Sequence, residues 1–204
     1  MAKLVTTFRG IFLDTTNTTL MLNSIIDRAN FMKYCVQNNI TDVHIYGLSG
    51  FIGNSVNENK LAAFISECRV NGVKTISAQR GSATSHTIGS SSTLTYNASR
   101  TLKSERFDVM GQEQEFWQPL GNPTQIPYAT FLADSITIKN AANANSLKND
   151  VYVARCRDTI TNTPSLTIAR DIVKYHNRVL LTCYVTADKL TIAPATSGSA
   201  WLRF

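Results

Sequence analysis

Short apolar runs alternate with amphipathic stretches along the whole chain. FRGIFLD (8–14) reads as a first strand, and Ile25, Ala29, Met32 and Val36 then recur at helical spacing. DVHIYGLS (42–49) is a second strand. Ser55 and Glu58 offer a capping box for a helix whose apolar face is Leu61, Phe64, Ile65 and Cys68, with Gly72 as its stop. VKTISAQ (73–79) is a third strand, followed by a Ser/Thr/Gly-rich loop from Gly81 to Thr93 and a short helix around Leu94 to Leu102. FDVMGQEQEFW (107–117) is the fourth strand. Prolines 119, 123 and 127 mark a loop before a helix using Tyr128, Phe131, Leu132 and Ile136. DVYVARC (150–156) is a fifth strand, and the pair Thr163–Pro164 caps and opens a helix using Leu166, Ala169, Ile172 and Val173. RVLLTCYVT (178–186) is the sixth strand.

Strict strand–helix alternation predicts an α/β fold with a parallel sheet. The faces of the strands narrow the choice. Val43 and Ile45 oppose Asp42, His44 and Tyr46, while Ile76 and Ala78 oppose Thr75, Ser77 and Gln79. One helix-covered face and one polar face suit the wet interior of a barrel, whereas strands of a doubly wound sheet are apolar on both sides. The expectation is an incomplete TIM-barrel-like (βα) repeat of about six parallel strands, with a doubly wound, flavodoxin-like sheet as the alternative. Residues 1–186 form a single domain in this reading. The last 18 residues, 187–204, have room for a short strand but not for two more βα units, and read as a docking tail ending Trp-Leu-Arg-Phe.

Composition removes several classes. Apolar content of 43% with 17% charged residues fits a globular chain. No apolar run is long enough for a membrane span, and the N-terminus lacks the apolar core of a secretory signal, so a cytoplasm-made protein without membrane insertion is expected. Cys35, Cys68, Cys156 and Cys183 are widely separated in apolar stretches, which predicts reduced, buried thiols. The net charge of +6 comes from scattered single residues, so there is no specific nucleic-acid signature. There is no phosphate-binding glycine loop, nucleophile elbow or metal-ligand spacing, and no cofactor or metal is expected.

The chemistry that remains centres on Glu113 and Glu115. Strand parity places them on one face with Val109 and Gly111, at the strand end where barrel folds carry their sites. Here the chain resembles glycoside hydrolase family 18, the chitinase family, whose fourth-strand motif is DGxDxDxE. Asp108 takes the first Asp, Val109 stands at the Gly, Gly111 at the middle Asp, Glu113 at the last Asp and Glu115 at the catalytic Glu. Tyr184 in LLTCYVT resembles the sixth-strand tyrosine that contacts the substrate's N-acetyl group, and the rhythm agrees over residues 8–186. The resemblance implies retaining, substrate-assisted cleavage of N-acetylglucosamine-type glycans, with Glu115 as general acid and Glu113 as its helper. Gly111 removes a carboxylate from that relay, so the sequence leaves enzyme activity open. Asp14, His44, Tyr46, Gln79 and Trp117 are the candidate substrate-binding residues around the same mouth. His86 and His176 read as surface residues.

Two functions follow. The first is a non-catalytic structural or interaction protein on a shortened glycosidase-like barrel, a pseudoenzyme serving as a subunit of a virion or other large assembly, with other protein subunits as partners. The second is a glycan-binding or glycan-hydrolysing domain.

Overall fold

The structure, a computed structural model, describes residues 9–81 and 87–181. His86, Cys183, Tyr184 and the proposed tail 187–204 lie outside them. The elements are β1 (Gly10–Leu13), α1 (Thr15–Asn23), α2 (Ile25–Gln37), β2 (Asp42–Ile45), α3 (Ser55–Val70), β3 (Thr75–Gly81), α4 (Thr87–Ser99), β4 (Val109–Glu113), α5 (Tyr128–Ala144), β5 (Lys148–Val153), α6 (Ser165–Tyr175) and β6 (Arg178–Leu181). The fold is α/β, an incomplete TIM-barrel-like repeat of six parallel strands in the order β1-β2-β3-β4-β5-β6. Sequential order without a reversal is that of a barrel-type repeat; a flavodoxin-type sheet turns back beside its first strand. No helix among the described residues is long and apolar enough to cross a membrane.

The chain divides into two compact units, one reaching Arg80 and resuming over Ile88–Met110, the other comprising Gly81, Thr87 and the chain from Gly111 onward. In the first unit Phe12, His44 and Ser77 stand in register across β1, β2 and β3. Val43, Ile45, Ile76 and Ala78 occupy the opposite face of these strands and join Leu61, Phe64, Ile65 and Cys68 of α3 in the core. Each of the four α3 residues is fully buried, as their spacing predicts. Gly72 ends α3 as expected, with φ +93°, a conformation that favours glycine. Gly47 is required for a second reason: at φ +73°, a Cβ there would come within 2.9 Å of the Thr15 backbone.

Several local expectations change in this unit. α1 is an element that the apolar spacing did not show, because TTNTTLMLN is too polar to display it; Asp14 starts it by accepting from the Asn17 N–H at 2.7 Å. Ser24 ends α1 and caps α2, and the rotation this sets buries Phe31, Met32 and Cys35. Of the expected stripe, Met32 is buried, while Ile25 is 76% and Val36 54% exposed. Phe31 packs against Phe64 with ring centroids 5.8 Å apart, burying a larger apolar surface than Ile25 or Val36 offers there. The cap of α3 is Asn54 rather than Ser55, and Glu58 reaches back to the Gly53 N–H at 2.8 Å. α4 begins at Thr87, inside the stretch expected as loop.

In the second unit Phe116, Trp117, Tyr128 and Phe131 form an aromatic cluster, with Phe116 and Phe131 centroids 4.6 Å apart. α5 buries Tyr128, Phe131, Asp134, Ser135, Ile138 and Ala142, so polar residues sit within its inward stripe. α6 buries Ile168 and Ile172 and leaves Leu166 and Val173 in solvent. Thr163 does not cap this helix: Pro164 precedes it, and the Thr163 hydroxyl donates to Asp158 at 2.8 Å. Strands β5 and β6 run parallel in register, with Asp150 opposite Arg178 and a buried ion pair between their side chains.

Candidate functional site

The first unit brings together part of the predicted set on the polar face of β1–β3. His44 is buried, and its ring lies 4.5 Å from Phe12 in a stacked pair, because the two residues are directly opposite in register. Gln79, also buried, donates from Nε2 to His44 Nδ1 at 3.0 Å and to Ser77 Oγ at 3.3 Å. The Gln79 Oε1 is buried with no hydrogen-bond partner among the described residues. Tyr46, half-buried just past β2, stands 6.1 Å from Phe12. Asp14, exposed at the end of β1, serves as the α1 cap.

The acidic pair belongs to the second unit. Glu113 is the last residue of β4 and is half-buried. The strand ends there, so parity does not carry on to Glu115, which lies in the following turn. Glu115 is half-buried, and its Oε2 accepts from the Thr124 hydroxyl of the proline-containing loop. That hydroxyl, together with the Thr124 N–H, also engages Asn122 Oδ1. Trp117 is 5% exposed and packs edge-on against Phe116 at 5.1 Å, a core aromatic rather than a rim residue. Asp108, the first residue of the matched motif, is a brace in the first unit. Its Oδ2 accepts from the Ile76 N–H at 2.8 Å and from Arg69 at 3.0 Å, tying the start of β4 to β3 and to the end of α3. Tyr184 lies outside the described residues, and Arg155, just past the C-terminal end of β5, is exposed.

A polar network that the sequence pattern did not reveal fills the space between β4, α5 and the end of α6. Gln112 Nε2 donates to Gln114 Oε1, and Gln114 Nε2 donates to Asp134 Oδ2 at 2.8 Å. Ser135 donates to Gln112 Oε1 at 3.1 Å, and His176 Nε2 faces the same oxygen at 3.2 Å. His176 Nδ1 faces the Ile172 carbonyl at 2.9 Å. His176 is therefore a core residue and not the surface one expected, since the end of α6 turns it inward onto Phe131 and Gln112. Burial drives its pKa down to about 4; the Ile172 carbonyl opposes this and the charge of Lys139 adds to it. Gln112 and Gln114 alternate with Glu113 and Glu115, and Asp134 and Ser135 follow Phe131 at helical spacing. That periodicity was the available signal.

Thiols and anchors complete the inventory. Burial pushes the Cys35 thiol up to about 11 and raises Cys68 and Cys156, so none of these is an activated nucleophile. Burial also acts to raise the Asp158 carboxyl, but hydrogen bonds from Thr161, Ile160 and Thr163 outweigh it and hold the group well below the carboxylate range. Among the described residues no group of three His, Cys, Asp or Glu is placed to hold a metal ion. Neither a protein-family model nor a curated protein matches the chain.

Proposed function

We propose that the chain is a non-catalytic structural or interaction protein, built on a shortened glycosidase-like repeat and serving as a subunit of a larger assembly. The observation that carries this reading is how the matched acids are used. Asp108 braces β3 against α3, and Glu115 accepts from Thr124 in its own loop, so both hold local structure. An acid that must protonate a leaving group needs a proton-holding environment and a free approach to substrate; a carboxylate bound by a loop hydroxyl is anchored instead. The surface of α2 supports contact with other protein subunits. Ile25, Ile26 and Val36 are 76%, 75% and 54% exposed on a single helix, an apolar density that a partner would cover.

Light scattering after size exclusion tests this directly. Wild-type chain at high concentration is expected above the mass of one chain, and Ile25→Glu with Ile26→Glu is expected to shift it toward the monomer. A monomer at every concentration, together with saturable binding on a glycan array, would favour the second reading. That reading is supported by the Phe12, His44, Tyr46 and Gln79 cluster, where Gln79 Oε1 has no hydrogen-bond partner among the described residues.

A further inference from the structure

Arg80 carries a feature that neither the core nor the polar face explains. By parity it shares the face of β3 with Ile76 and Ala78, both in the apolar core, so a guanidinium ends an otherwise hydrophobic row. Its Nε and Nη2 are shut off from solvent and have no hydrogen-bond partner among the described residues, while the residue as a whole is only half-buried. An arginine does not escape such a position by losing its proton under ordinary conditions, although burial lowers its affinity for one. A buried unpaired cation is strongly unfavourable, and native structures satisfy such groups with a counter-charge.

We propose that Arg80 is the anchor of an oxyanion-binding site in the first unit, taking a phosphate or carboxylate group of a ligand. Two features set the ligand chemistry. Nε and Nη2 lie side by side on one edge of a planar fork, the edge that binds two oxygens of a carboxylate or phosphate at once. Arg80 also stands at the C-terminal end of a strand in a (βα) repeat, the end at which such folds place ligands.

Thermal melting at constant ionic strength, with inorganic phosphate or citrate replacing chloride, reads the site out. Wild-type protein is expected to gain about 2–4 °C in Tm at saturating anion, a shift typical of modest ligand stabilisation for a chain of this size. Arg80→Met is expected to lose that gain, which removes the general stabilising effect of these salts from consideration. Without anion, Arg80→Met is expected to melt no lower than wild type, because it deletes an unpaired charge and keeps the apolar stem. A larger gain with phosphate than with citrate identifies a phosphoryl ligand, and the reverse a carboxylate. The proposal is overturned if wild type gains nothing over chloride, or if Arg80→Met gains equally. It is also overturned if Arg80→Met melts well below wild type or fails to fold, since the guanidinium would then be serving the fold.

Discussion

In the first unit the helix-facing side of the sheet is apolar until Arg80 ends the row on β3: Val43, Ile45 and Ile76 meet Leu61, Phe64, Ile65 and Cys68, all fully buried. In the second unit the residue that β4 turns toward α5 and α6 is Gln112, and it meets Ser135 and His176. The same (βα) rhythm thus fills its helix side by two different means. Burial of apolar surface is non-directional and tolerates small shifts, whereas a buried polar network stabilises only while each member keeps its partner. The Gln112–Gln114–Asp134 chain is directional, because an acceptor-only carboxylate at Asp134 orients the amide of Gln114, which orients that of Gln112. The first unit is therefore expected to respond to volume, and the second to protonation and to loss of single partners.

Phe64→Ala should be the most damaging of the changes considered. Deleting a fully buried ring that packs on Phe31 is expected to cost about 3–5 kcal/mol, measured by urea denaturation. A loss below about 1 kcal/mol would mean that this core collapses around the gap, and the contrast between the units would weaken.

Acid titration probes the second unit. The folded-state pKa of His176, about 4, lies below its ordinary 6.5. Between those values the unfolded chain binds more protons, so stability falls as pH drops below 6.5 and this contribution levels off below about 4. The total is on the order of 3 kcal/mol. His176→Phe should flatten that part of the stability–pH curve whatever its own starting stability, and an unchanged slope in the variant would remove His176 as its source.

A smaller effect tests whether the network acts as a unit. Gln112→Leu and Asp134→Leu are each expected to lose about 1–3 kcal/mol, because each leaves a buried group without its partner. The double variant should lose less than the sum, with a coupling of about 0.5–2 kcal/mol carried through Gln114. Additive losses would show two independent hydrogen bonds rather than a chain.

The contrast also explains which parts were legible in the residues. The repeat, the strands and the buried face of α3 follow from apolar spacing, because Leu61, Phe64, Ile65 and Cys68 leave only one way to bury them. α2 was misread by its rotation: apolar spacing alone could not weigh Ile25 and Val36 against Phe31, and the aromatic contact with Phe64 decided it. α1 and the start of α4 escaped because Thr- and Ser-rich segments carry little hydrophobic signal, and caps and neighbours fix them instead. At the site, His44 and Gln79 were found together by strand parity. Glu115 was placed by extending that parity beyond the true end of β4 at Glu113. The Gln112–Asp134–His176 network was missed because its members lie on separate elements and read individually as solvated polar residues, with the helical spacing of Asp134 and Ser135 from Phe131 as its one trace.

The reading of Asp108 and Glu115 as anchors is tested most directly by fluorophore release from chitobiose and chitotriose reporters, with wild type and Glu115→Gln measured side by side at equal concentration. Both proteins are expected to stay at the rate of the buffer blank. Release by wild type that Glu115→Gln abolishes would show that Glu115 works as an acid, and would contradict the non-catalytic reading.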